Sequence, residues 1–139
     1  LNDASVKLGI PVVHGSIFRF EGQVTVFDPR DGVTYRDMQP EAPSKNIVPN
    51  CAEAGVLGVL PGIVGSIQAL ETIKLILNIG ENLSGRLVVF DSLEMTFHEY
   101  AIKKDPDNKI TWENRHLIEI TEIGEDCASQ VESQTPTEN

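Results

Sequence analysis

Apolar residues recur along this chain with two different periods. Ile63, Ile67, Leu70, Ile73 and Leu77 follow a 4-3-3-4 spacing, which puts them on one face of a helix. Pro61 suits the first position of such a helix and Gly80 its end. The pattern predicts helix over 52–78 in two pieces, the second opening at Pro61. Small residues at 55, 58, 62, 65 and 69 recur at 3-4-3-4 spacing. They line one helix face with Gly and Ala, where another backbone can approach closely.

Between 17 and 27 the period is two. Phe18, Phe20, Val24 and Val26 alternate with Arg19, Glu21, Gln23 and Thr25, and Gly22 interrupts the apolar face. This predicts a half-buried strand pair or one long bulged strand, closed by a turn at Asp28-Pro-Arg-Asp-Gly. Ile10-Pro-Val-Val-His reads as a short buried strand, with Pro11 tolerated only at its start. Leu87-Val-Val-Phe is a second buried run. Met95, Phe97, Glu99 and Ala101 alternate with Thr96, His98, Tyr100 and Ile102, so Asp91-Ser-Leu-Glu reads as a hairpin connection. Residues 3–9 end a helix at Gly9.

Between these elements lies a stretch without periodicity. Residues 29–50 hold prolines at 29, 40, 43 and 49, and a loop of this length in a compact domain is usually functional or disordered. It delivers the chain to Cys51. Residues 103–118 are charged and irregular. From Glu119 the composition is polar and acidic, which predicts a linker or tail without a core.

The chain has 139 residues and 40% hydrophobic content, enough for one domain with a core. Its net charge is −10, and six acids follow Arg115, so the tail carries most of the excess. Nucleic-acid binding needs clustered Lys and Arg and is not expected. The longest apolar stretch, 54–70, is rich in glycine and soon meets Glu71 and Lys74, so no membrane span is expected. Cys51 and Cys127 lie far apart in different contexts, which argues for free thiols in a cytoplasmic protein. The three histidines, His14, His98 and His116, form no ligand pattern.

Cys51 is the candidate for chemistry. A thiolate ahead of a helix would be favoured by the amide groups and dipole there. It could attack an activated acyl group or receive sulfur. It could equally be a small buried residue at a loop–helix junction. Glu53 nearby would raise the thiol pKa.

The stretch Ile47-Val-Pro-Asn-Cys-Ala-Glu-Ala-Gly through Lys74 resembles the crossover-loop cysteine and following helix of the MoeB/ThiF family. Gly15-Ser-Ile-Phe-Arg-Phe-Glu-Gly-Gln-Val-Thr-Val-Phe and Leu87-Val-Val-Phe-Asp extend the resemblance over residues 1–107. It implies an α/β fold. That fold would be the C-terminal half of a Rossmann-like adenylation domain, with mixed or antiparallel strands, a crossover loop and a long glycine-lined helix. Residues 108–139 would then be an irregular acidic linker or tail.

The function implied is part of an ATP-dependent adenylyltransferase. It activates the C-terminal glycine of a ubiquitin-like sulfur carrier for sulfur transfer in molybdopterin or thiamin synthesis. Catalytic Cys51, ATP and Mg as cofactors, and a homodimer in the intact enzyme are implied with it. The chain opens on Leu1 and shows no G-x-G-x-x-G or P-loop. The nucleotide half is therefore expected upstream, and the isolated chain is expected to be inactive. The alternative is a non-catalytic protein-binding module derived from the same family. Many relatives hold a structural zinc with two C-x-x-C pairs. Thr34-Tyr-Arg-Asp37 and Asn108-Lys-Ile-Thr111 occupy those places here, so zinc is not expected.

Overall fold

Gly9 ends the first helix with φ 67°, a left-handed conformation that satisfies the last carbonyls of α1 (Asn2–Leu8) and turns the chain into a sheet. The computed structural model describes residues 1–40 and 55–120. Two hairpins follow one another in the sheet, β1 (Val12–Phe18) with β2 (Glu21–Phe27) and β3 (Arg86–Asp91) with β4 (Thr96–Ala101). The order is β1-β2-β3-β4, antiparallel throughout. Between the hairpins come a one-turn helix α2 (Tyr35–Met38) and the long helix α3 (Leu60–Leu77). A 3-10 turn spans Arg115–Leu117.

The alternation read over 17–27 is a strand pair. Phe18 pairs with Glu21 across a two-residue turn, and Arg19 within it takes φ 52°, as tight hairpin turns require. The turn resets the pleat. Phe18 therefore shares a face with Glu21 and not with Val24. The first strand also runs to Phe18 and does not stop at His14.

One face of the sheet carries α3. Val24, Val26, Val64 and Leu83 form its core, flanked by Val13, Ile17, Ile67, Leu75 and Val88. Each fully buried Val or Leu contributes roughly 1.5–3 kcal/mol. Close approach depends on two sheet glycines. A Cβ at Gly22 would lie 2.5 Å from Val64 Cγ2, and one at Gly15 would overlap the Gln68 amide. The helix glycines behave differently: a Cβ at Gly62 or Gly65 would meet nothing within 4 Å among the described residues.

The helix departs from expectation in three ways. Its buried stripe is Leu60, Val64 and Glu71, with Ile67 and Leu75 half-buried. Leu70, Ile73 and Leu77 of the expected stripe are exposed. The helix is apolar on most sides, so periodicity alone does not select the face that meets the sheet. Residues 55–59, expected to be helical, are extended or turn. Gly55 takes φ 69° and Val56 bridges to Arg19, which commits that stretch to the sheet edge. By length and composition alone α3 could also cross a membrane. It is seated on β1 and β2 through a stripe that contains Glu71, and most of its remaining surface is exposed.

Residues 108–118 are irregular but packed. Trp112 lies against Gly9, Ile118 is buried, and Lys7 Nζ donates to the Ile118 carbonyl at 2.7 Å. The tail expected from Glu119 onward falls almost wholly on 121–139, outside the described residues.

Candidate functional site

Residues 41–54, which include Cys51, lie outside the described residues. Their two flanks are described, and both are anchored. On the far side the Leu57 N–H donates to the Arg19 carbonyl at 3.0 Å, next to the parallel bridge between Arg19 and Val56. This pins the re-entering chain to the tip of the β1–β2 hairpin. The Arg19 guanidinium lies over the Phe18 ring, 5.2 Å from its centroid.

On the near side the anchor is α2. The Arg36 guanidinium donates to the Pro40 carbonyl at 2.9 Å and to both Asp3 oxygens, at 3.3 and 3.2 Å. The Asn2 side-chain oxygen accepts the Tyr35 N–H at 3.0 Å. Burial pushes the Asp3 carboxyl up. The hydrogen bonds from Arg36 and Asn2 and the Arg36 charge outweigh it and hold the group below its ordinary value. Tyr35 packs on Phe27 and His14, at the open end of the hairpin whose closed end holds Arg19. A seven-residue strand spans roughly 23 Å. Residues 41–54 therefore join two anchors at opposite ends of the β1–β2 hairpin.

One part of the case for an activated Cys51 changes. Of the two helical pieces expected after it, the first opens on 52–54, outside the described residues, and is not helical over 55–59. The second is α3, which begins at Leu60, nine positions later. The N-terminus of α3 is not adjacent in sequence, and a dipole effect falls off within one turn.

The four positions weighed for zinc divide. Thr34, Asp37 and Asn108 come together, with Asn108 Nδ2 donating to Asp37 Oδ1 at 2.9 Å and to Thr34 Oγ1 at 3.1 Å. Thr111 instead accepts the Asn114 N–H at 3.4 Å. Two hydroxyls, a carboxylate already used by hydrogen-bond donors and a carboxamide do not make the sulfur-rich tetrahedron of a structural zinc site. Among the described residues, no three His, Cys, Asp or Glu side chains are grouped to hold a metal.

The histidines stay apart. His14 packs between Phe27 and Tyr35, and burial holds its imidazole below the ordinary value. His98 bonds Thr96 on β4, and His116 lies in the 3-10 turn. The element that sequence reading missed is α2. Its signal was present: Thr34 and Asp37 form a capping box, a spacing that marks helix starts.

What the described frame offers is a rigid sheet end and two fixed anchors for a crossing segment. The sequence profile of the ThiF family matches residues 1–111. The chain belongs to that family. It is 49% identical over 129 residues to a "SAMP-activating enzyme E1" of Haloferax volcanii, covering 92% of this chain and 47% of that protein. A "Probable adenylyltransferase/sulfurtransferase MoeZ" of Mycobacterium tuberculosis is 46% identical over 146 residues, covering 99% of this chain and 36% of MoeZ. The chain thus spans less than half the length of these relatives. Among solved structures, E. coli MccB with ATP matches at a TM-score of 0.61 and 14% identity, over 78% of this chain and 34% of MccB. That likeness concerns the fold.

Proposed function

We propose that this chain is the C-terminal half of the adenylation domain of an ATP-dependent adenylyltransferase. The substrate is the terminal glycine carboxylate of a ubiquitin-like sulfur carrier. The observation that carries the reading is family membership along residues 1–111, joined to a frame that fixes both ends of the segment bearing Cys51. The relatives' names, an activating enzyme and an adenylyltransferase/sulfurtransferase, support the same class of chemistry.

Adenylation turns a poor leaving group into a good one, because AMP departs from an acyl carbon far more readily than hydroxide does. ATP and Mg belong to this reading, with their site mostly outside this chain. The thiolate of Cys51 is the proposed nucleophile: a C–S bond forms at the acyl carbon, the C–O bond to AMP breaks, and a sulfur donor then displaces the thiolate. A cytoplasmic setting goes with a thiol that must stay reduced.

A homodimer is part of the proposal. Leu70, Ile73, Ile76 and Leu77 expose an apolar helix face that a neighbouring surface would cover. The pathway served is molybdopterin or thiamin synthesis.

The test uses the intact protein, a ubiquitin-like carrier, ATP and a sulfur donor. Mass spectrometry of the carrier should show its terminal oxygen exchanged for sulfur, only when ATP is present. A carrier of unchanged mass under conditions that support a related adenylyltransferase contradicts the proposal.

A further inference from the structure

We infer that Thr34, Asp37 and Asn108 form a metal-free clasp, doing with hydrogen bonds what the family resemblance would assign at these positions to a thiolate-bound zinc. Asp37 is its centre. Its Oδ1 accepts from Asn108 Nδ2 at 2.9 Å and from the Asp105 N–H at 3.0 Å. Its Oδ2 accepts from the Thr34 N–H at 2.6 Å and the Thr34 hydroxyl at 3.0 Å. A carboxylate offers about four lone-pair sites, and here four donors occupy them. None is left for a cation.

The other members are equally committed. Thr34 is 2% exposed, and its hydroxyl both donates to Asp37 and accepts from Asn108. Asn108 Oδ1 accepts the Ile110 N–H at 2.9 Å. Among the described residues no buried side-chain polar atom lacks a partner. A network with every member satisfied rigidifies its surroundings, whereas a partly satisfied one costs stability.

The clasp also does a staple's work. Asp37 and Asn108 are 71 positions apart, so their contact closes a long loop, and such closures restrict the chain most. It joins the stretch after β4 to α2. Through Arg36, α2 holds Pro40, where the described chain stops before the segment bearing Cys51. The clasp therefore sets where that segment begins.

The test has two arms on the intact protein purified without chelators. Elemental analysis should find zinc far below one per chain, and EDTA should leave the melting temperature unchanged. In the second arm, Asn108→Ala should raise amide hydrogen exchange at Thr34, Asp37 and Asp105 by about tenfold, with the β1–β4 ladder unchanged. The exchanged pair Asp37→Asn with Asn108→Asp should recover part of that protection. One zinc per chain with an EDTA-lowered melting temperature overturns the inference. So does Asn108→Ala with wild-type exchange at those amides. Should Asn108→Ala fail to fold, the zinc and EDTA measurements on the unaltered protein decide alone.

Discussion

The Glu71 carboxylate, buried on α3, accepts the Leu83 backbone N–H at 2.8 Å, on the approach to β3. Its other oxygen meets Lys74 Nζ. The Leu83 carbonyl in turn accepts from the Val26 N–H and the Thr25 hydroxyl, each at 3.3 Å. One residue pair thus ties helix, connection and β2 together. Glu71→Ala would strand a buried amide and take the carboxylate from Lys74, whose Nζ would keep the Glu81 carbonyl. It should cost about 2–4 kcal/mol in chemical denaturation of the intact protein. Glu71→Gln keeps an acceptor for Leu83 and should cost less. Equal losses for both variants would show that the hydrogen bond is not what matters.

Gly22 lets α3 lie close to β2. Gly22→Ala puts a methyl group 2.5 Å from Val64 Cγ2, and the overpacking should cost about 1–3 kcal/mol. Shortening Val64 to Ala in the same chain should relieve part of it. Gly15→Ala meets the flexible end of Gln68 and should cost less than Gly22→Ala. Additive losses for Gly22→Ala and Val64→Ala would mean the two positions do not share the space described.

Acid should loosen the clasp. Burial pushes the Asp37 carboxyl up, but hydrogen bonds from Asn108, the Thr34 and Asp105 amides and the Thr34 hydroxyl together hold it below its ordinary value. The folded group is the stronger acid. Its contribution is therefore complete above the unfolded carboxylate pKa, and it is lost as pH falls through the lower folded value. Nearby charges are already engaged: Arg36 with Asp3, Lys104 with Glu113, and the Asp105 side chain with the Asp107 amide. Denaturation of the intact protein between neutral pH and acid should show a smaller pH slope for Asp37→Asn than for the unaltered chain. Identical slopes would remove Asp37 from the acid response.

Much of this architecture was legible because it rests on local chemistry. The alternation of Val24 and Val26 with Gln23, the Asp28-Pro turn and the Gly9 cap hold in the structure, whereas the turn at Arg19 moves Phe18 to the opposite face from Val24. The helix face was not legible. Glu71 occupies the buried stripe because the Leu83 amide waits for it, and no pattern within the helix announces a partner twelve positions away. The α2 helix is hidden for another reason: a single turn with no buried residue leaves no apolar period, and only the Thr34–Asp37 spacing marks its start. Likewise Val56 joins the edge of the sheet because Arg19, thirty-seven positions earlier, offers its carbonyl and backbone there.

Cys51 and Cys127 should separate in function. In the intact protein, Cys51→Ala should lower thiocarboxylate formation on the carrier, whereas Cys127→Ala should not. Acidic Glu125 and Asp126 precede Cys127 and disfavour its thiolate. A wild-type rate of sulfur transfer with Cys51→Ala would make that residue structural.

The most direct measurement is carrier-dependent exchange of labelled pyrophosphate into ATP, catalysed by the intact protein. Exchange reports formation and reversal of the acyl-adenylate and needs no thiol. It should therefore appear only with a carrier ending in a free glycine carboxylate, and it should persist in Cys51→Ala. Exchange at the level of the enzyme-free blank with every ubiquitin-like carrier offered would contradict the account.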